Sequence, residues 1–364
     1  MYGRNASNGG IDCLSELTVT DMEAELLWKI QKRWGNVMRM DVLYQADENY
    51  AVYGGVSITS LFENNKSVDE IYVHFLVSGL SAEMKGSLKK LEKKYKRKII
   101  LYDADGLRQR IIDIGASIHD GSYATYYKLF LQEFIPDEVK RILYVDDDTV
   151  ILGDLSELFV MDIDDVHLAV VKDSDPLPFY DQTDEEKMRC RYNCGVMLIN
   201  LVNWRKYGCQ SEIEHYMQTH SNYCHDQDIL NRLYYNKIKP LPCEYNVQPL
   251  LYAFTAKQYF SVYRQKDYYT YAEVERGREN IKIVHFFHWC GESAWNKGTL
   301  HPYRKIFRHY LEISPWNDSF VPVKKSINLV QRIEKILWII MPRRVFLQIW
   351  HSYRARHGLA LIQE

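Results

Sequence analysis

Ile142-Leu143-Tyr144-Val145 is an apolar run that ends in three consecutive carboxylates, Asp146-Asp147-Asp148. Adjacent acids repel one another at neutral pH, and a divalent cation with oxygen ligands removes that repulsion. Alternate residues of an extended chain point the same way, so Asp146 and Asp148 can grip one ion while Asp147 faces elsewhere. The plainer alternative is a solvated turn whose acids cap the next helix. Four more segments also put polar groups at the ends of apolar runs: Asp47 with Asn49, Asn193, Asp226 with Gln227, and His288. As a set, these residue types suit a metal, a ribose and a sugar.

Such groups need elements to hold them. Met40 to Asp47 reads as a short strand, Tyr50 to Asn64 as a helix and Glu70 to Val77 as a second strand. Ser81 to Lys94 is strongly helical, and Arg97 to Tyr102 is a third strand. A helix near Tyr123 to Phe134 and the strand Arg141 to Val145 follow. Strands alternating with helices imply βαβ units and a mainly parallel sheet, with ligands beyond the carboxyl ends of the strands. Later strands are expected at Leu168–Lys172, Asn193–Leu201 and Ile281–Phe287, and a helix is expected to open at His225-Asp226-Gln227-Asp228. An acidic loop spans Asp181 to Glu186, and Tyr245 to Tyr271 is tyrosine-rich without clear periodicity. The expected organisation is an extension over residues 1–38 with a docking helix from Asp21 to Trp34, a catalytic domain over 39–300 and a helical basic region over 301–364.

The 364 residues suffice for a substantial core, and 46% hydrophobic with 26% charged residues is ordinary globular composition. A net charge of −2 argues against nucleic-acid binding by the protein as a whole. Seven cysteines with no Cys-x-x-Cys pair suggest neither a disulfide framework nor a zinc cluster. The polar amino terminus and the lack of a long apolar window fit a reduced, cytoplasmic setting.

The motifs resemble those of the retaining glycosyltransferases of family 8. Gln45-Ala46-Asp47-Glu48-Asn49-Tyr50 is similar to the family's uridine-binding loop, and Leu143 to Asp148 to its DxD motif. Asn193-Cys194-Gly195 through Leu201 is similar to its sugar-binding strand, Asp226-Gln227-Asp228-Ile229-Leu230-Asn231 to its DQDxLN motif, and Ile283 to Gly291 to its late histidine-glycine loop. The resemblance implies a GT-A fold and transfer of galactose or glucose from a UDP-sugar to a cell-envelope glycan such as lipopolysaccharide. It also implies Mn²⁺ or Mg²⁺ held by Asp146, Asp148 and a late histidine, assisting departure of UDP as a Lewis acid. His288 keeps the His-x-x-Gly spacing and is the expected ligand, with His285 the alternative. Gln45, Asp47 and Asn49 would meet the nucleoside, and Asp147 would contact it through its backbone or stand by. Lys128 sits where the family usually has arginine, between phosphate and sugar, and supplies charge without the bidentate fork. Asp173, Asn193, Cys194, Asp226 and Gln227 would surround the sugar. Gly291 and Lys297 belong to the late loop, where the family's usual phosphate-binding lysine is missing before Trp295 and Lys297 is the nearest replacement.

Retention usually implies a carboxylate nucleophile. Gln227 is a poor one, which leaves front-face substitution and a double displacement through Asp226 both open. A haloacid-dehalogenase phosphatase also carries an Asp-rich strand end. That motif normally lies on the first strand of its domain, however, and leaves Asp226-Gln227 unexplained. A non-catalytic sugar-nucleotide or membrane-binding protein of the same fold is the rival from another class. Lys324 to Gly358 holds eight Lys/Arg against Glu334 alone, interleaved with apolar residues and divided by Pro342. That pattern suits peripheral attachment to an anionic membrane or, equally in kind, a helix packed on the catalytic domain.

Overall fold

A computed structural model describes residues 37–118, 122–175, 191–220, 225–264 and 268–357. The expected helix from Asp21 to Trp34 and the acidic loop from Asp181 to Glu186 lie outside the described residues.

The chain folds on a seven-stranded sheet of order β3-β2-β1-β4-β7-β6-β8. Its strands are β1 (Arg39–Asp47), β2 (Glu70–Ser78), β3 (Lys98–Asp103), β4 (Arg141–Val145), β6 (Leu168–Lys172), β7 (Tyr192–Asn200) and β8 (Ile238–Leu241). The pairs β3–β2, β2–β1, β1–β4 and β6–β8 are parallel, whereas β7 runs antiparallel to both β4 and β6. The sheet is thus mainly parallel, as the alternation of strands and helices predicts. Met40, Val42, Leu43, Tyr44 and Ala46 of β1 are fully buried, as expected of a strand inside a mainly parallel sheet.

Helix α1 (Ala51–Asn64) connects β1 to β2 and brings Gly54 against Asp147 and Gly55 under Trp316. Helix α2 (Ala82–Tyr95) starts where the Ser81 side chain accepts the Met84 N–H, so the cap sits at the expected serine. Helix α3 (Asp105–Ile114) was not expected from the sequence, which offers only Leu107 and Ile111 as its buried stripe. The segment expected as a helix near residue 123 is a tight 3₁₀-type coil, Ala124–Glu133, kinked at Phe130. Helices α4 (Leu201–Lys206), α5 (Cys209–Thr219) and α6 (His225–Tyr234) follow β7.

The strand expected from Ile281 to Phe287 forms over Ile283–His285 (β9), outside the main sheet: it pairs antiparallel with β5 (Thr149–Ile151) in a two-stranded ribbon. Its apolar residues are buried all the same, so burial alone could not tell the two sheets apart. The ribbon matters because it sets His285 opposite Thr149, one residue past the acid triplet.

The carboxyl-terminal region forms α7 (Arg304–Glu312), α8 (Leu329–Ile340) and α9 (Arg343–His357), the last two separated at Pro342. Trp338, Phe346 and Leu347 are buried against the body of the protein, and the Trp338 ring lies 4.8 Å from that of Trp289. The opposite face of α8 exposes Leu329, Ile333, Ile336, Ile339 and Ile340. Trp338 therefore anchors the helix to the protein rather than facing outward.

Candidate active site

Strand β4 stops at Val145, and the next N–H, that of Asp146, donates to Gly195 O at 2.8 Å. The Thr149 hydroxyl donates to Asp146 O at 2.8 Å and meets Ser57 Oγ at 2.9 Å, itself 3.1 Å from the Tyr44 hydroxyl. This chain of hydroxyls from β1, α1 and β5 fixes the acidic turn from below. Phe286 N–H donates to Asp148 O at 2.9 Å and ties the turn to the end of β9.

Asp146, Asp148 and His285 each offer a ligand atom within 4.8 Å of the others. His285 Nε2 is 3.0 Å from Asp148 Oδ1 and 3.7 Å from Asp146 Oδ2. Its Nδ1 lies 3.1 Å from Asn246 Oδ1, which orients the ring with Nε2 toward the carboxylates. Two carboxylates and an imidazole form a donor set for a hard or borderline divalent ion. Gly195 keeps the space open: a Cβ there would fall 2.2 Å from His285 Cε1 and 2.6 Å from Asp146 Oδ2. The residues fit a divalent cation.

Electrostatics agree with the geometry. Burial disfavours the charged form of Asp148, but His285 outweighs it and holds the carboxyl below its ordinary range. Burial likewise opposes charge on His285, and Asp148 outweighs it and raises the imidazole. Asp147 behaves differently. Burial first, then Asp146 and Asp148, push its carboxyl well above the usual range, and its Oδ1 is a buried atom without a hydrogen-bond partner. Its Oδ1 lies against Gly54 of α1.

A second polar cluster adjoins the first. Lys128 Nζ, on a side chain only 3% exposed, lies 2.7 Å from Asp226 Oδ2 and 3.5 Å from Asp146 Oδ1, above the Tyr144 ring. Burial opposes its charge, yet Asp146 and Asp226 outweigh burial and raise the ammonium above lysine's ordinary value. Burial also opposes ionisation of Asp226, and Lys128 outweighs it, so this carboxyl is lowered. Gln45 shapes the backbone here, accepting Lys128 N–H at 2.6 Å and donating to Thr125 O at 3.0 Å. Gln227 Oε1 accepts from Asn193 Nδ2 at 3.1 Å and Cys194 N at 3.3 Å, while its Nε2 donates to Asp173 Oδ2 at 3.2 Å.

One pocket collects Gln45, Lys128, Asp146, Asp147, Asp148, Asp173, Asn193, Cys194, Asp226, Gln227, His285 and His288. Other expected residues lie apart. Asp47 Oδ1 accepts the Asn49 and Tyr50 N–H groups, and Asn49 borders a neighbouring cavity. Gly291, at φ +77°, faces Gln331, and Lys297 is exposed outside the pocket lining. His288 lines the pocket, but its Nε2 is 3.0 Å from Lys325 Nζ. That lone pair is engaged by the ammonium, whereas His285 joins the carboxylates.

Several contributors escaped the sequence reading. Thr125 donates to Asp226 Oδ1 at 2.9 Å. Asn246 donates to Asn193 Oδ1 at 2.8 Å and so links the Asn193–Gln227 amides to His285. Gln248 accepts Ser174 N–H at 2.8 Å. The signal available for the last two was polar–apolar alternation, Asn246-Val247-Gln248, within an otherwise tyrosine-rich stretch.

Comparison with known proteins gives a consistent picture. The family model described as glycosyl transferase family 8 matches residues 41–298. General stress protein A of Bacillus subtilis is 29% identical over 287 residues, covering 76% of this chain and 95% of that protein. A lipopolysaccharide 1,2-glucosyltransferase of Escherichia coli is 28% identical over 317 residues, covering 84% and 86%. The crystal structure of galactosyltransferase LgtC with donor and acceptor sugar analogues superposes with a TM-score of 0.61 at 24% identity, covering 78% of this chain and 98% of that one. This last likeness concerns the fold, which is the GT-A arrangement.

Proposed function

The chain belongs to glycosyltransferase family 8 and is a glycosyltransferase, and from that premise we propose that it is a metal-dependent, retaining hexosyltransferase using a UDP-sugar. The observation that carries the proposal is the junction, in one pocket, of Asp146, Asp148 and His285 with the Asn193–Gln227–Asp173 amide chain. The first set suits a cation at a diphosphate, and the second suits the hydroxyls of a sugar beside it. A Mn²⁺ or Mg²⁺ ion, when bound, supplies Lewis-acid charge to the departing diphosphate.

The protein's own groups do the rest. Asp173, Asn193 and Gln227 orient the hexose through donors and acceptors already held in place. Lys128 adds fixed positive charge between the two clusters, so developing charge meets a preorganised environment. Both candidate nucleophiles are already engaged. Gln227 Oε1 accepts two hydrogen bonds, and Asp226 is held by Lys128 and Thr125. This favours front-face substitution, in which the leaving phosphate takes the acceptor's proton. Glucose and galactose are the proposed sugars, glucose being the one named for the Escherichia coli relative. The proposed acceptor is a cell-envelope glycan such as lipopolysaccharide.

Peripheral contact with an anionic membrane through the carboxyl-terminal helices is part of the proposal. The exposed apolar face of α8 and its neighbours Arg332, Arg343 and Arg344 support it. No helix among the described residues is long and apolar enough to cross a bilayer. The test is a panel of UDP-sugars scored for Mn²⁺-dependent hydrolysis, with Asp148→Ala as the control. Turnover of one sugar by the wild type and none by the variant is expected. Tight UDP binding without any turnover would favour a non-catalytic binding protein, and undiminished turnover by Asp148→Ala would overturn the metal assignment.

A further inference from the structure

The pocket is strongly acidic. Among the described residues six aspartate side chains line it (Asp146, Asp147, Asp148, Asp173, Asp175 and Asp226), and the two lining lysine or arginine side chains, Lys128 and Arg191, are already paired with carboxylates. The diphosphate of a nucleotide-sugar adds two negative charges to this space, and a divalent ion held by Asp146 and Asp148 would share its charge between them and the phosphates. A cation on another wall would add to that offset.

The structure provides it from the carboxyl-terminal segment. Lys325 lines a cavity of about 1040 Å³ that shares Tyr50, Phe287, His288 and Trp295 with the acidic pocket. Its Nζ lies 3.0 Å from His288 Nε2, and His288 lines the acidic pocket together with Asp148. An ammonium donating to a ring nitrogen meets a lone pair, so this contact orients the lysine without the charge cancellation a carboxylate gives. Lys128 and Lys335 differ, each being held by a carboxylate.

The segment bearing Lys325 is fastened to the loop that forms this wall. Lys297 N–H and Asn296 Nδ2 donate to Val323 O at 3.1 and 3.3 Å. Lys335 Nζ pairs with both oxygens of buried Glu292 at 2.8 and 2.7 Å. Trp338 packs on Trp289. The attachment places one cation at the rim of the pocket, on the side of the acidic turn marked by His288.

We infer that Lys325 binds the diphosphate of the donor, and that the carboxyl-terminal segment thereby completes the nucleotide site. This rests on the UDP-sugar reading above. The donor's phosphate oxygens accept from the ammonium, with His288 holding the lysine toward them.

Calorimetric titration of the full chain with UDP and with uridine, both in Mn²⁺, tests the inference. Loss of a charge-assisted hydrogen bond predicts that Lys325→Ala weakens UDP binding about tenfold or more and leaves uridine binding unchanged. Lys325→Arg should retain most of the UDP affinity. Unchanged UDP affinity in Lys325→Ala overturns the assignment, as does an equal loss for uridine. A loss confined to Lys297→Ala would give the role to that residue instead. Failure of the wild type to bind UDP at all would overturn the donor reading itself, and the inference with it.

Discussion

Replacing Lys128 by methionine keeps most of the side-chain volume and removes one charge from a buried cluster. The ammonium lies 2.7 Å from Asp226 and 3.5 Å from Asp146, with the lysine side chain 3% and that of Asp226 8% exposed. Lys128→Met leaves Asp226 with Thr125 as its remaining side-chain partner, and stranding a buried carboxylate costs about 3–5 kcal/mol. Asp226→Asn removes the opposite charge but leaves Lys128 near Asp146, so its cost should be smaller, about 1–3 kcal/mol. The double variant Lys128→Met/Asp226→Asn strands no charge at either position. It should be more stable than the sum of the single effects implies by about 2 kcal/mol or more. Urea unfolding of the four proteins without added metal measures this coupling. The pH dependence supplies an independent sign. In the wild type Lys128 lowers Asp226, so the native state releases that proton more readily than the unfolded chain, and the pair's stabilisation is lost on acidification through the ordinary carboxylate range. In Lys128→Met burial raises Asp226 instead, the native state holds the proton longer, and this group's contribution falls as pH rises. Additive single effects, within about 0.5 kcal/mol, would refute the idea that the two charges stabilise each other.

Mn²⁺ at a hundred times its dissociation constant should stabilise the wild type by about 2.7 kcal/mol, read as a rise in melting temperature. His285→Ala should abolish most of that rise and His288→Ala should preserve it; the reverse pattern would assign the metal to His288. Gly195→Ala should likewise suppress the Mn²⁺ effect, because its Cβ occupies the space between His285 and Asp146, and overpacking should lower stability by about 1–3 kcal/mol. A Gly195→Ala protein with wild-type metal response would show that the space is not the ion's. His301, pushed down to about 4 chiefly by burial, accepts Tyr303 N–H at Nδ1 and sits 2.8 Å from Phe286 O through Nε2. The unfolded chain binds this proton at higher pH than the native state, so stability should rise between pH 4 and 6.5, by up to about 3 kcal/mol from this group. Urea midpoints across that range should lose this component in His301→Gln, and an unaltered pH slope would remove His301 from the account.

The main strands were readable because each is an apolar run ended by polar residues, and the alternation with helices implied their parallel pairing. Their carboxyl ends carry Asp146, Asp47 and Asp173, which is why the acids stood out before any contact was known. Helix α3 was missed because its two buried residues make a thin stripe. The pairing of β9 with β5 was not legible because strand pairing depends on chain geometry over about 130 residues, which local pattern does not encode.

Residue type and spacing by themselves determined the acid pair, the amide cluster around Gln227 and the fold that joins them. Only the tertiary structure decided which histidine meets the acids. His285 and His288 are three residues apart and chemically identical, but β9 pairs with β5 and turns one toward Asp148, while the carboxyl-terminal segment brings Lys325 to the other. Coordination depends on the direction of a lone pair, and that direction is set by the hydrogen bond His285 Nδ1 donates to Asn246 and the one His288 accepts from Lys325, residues distant in the chain from one another.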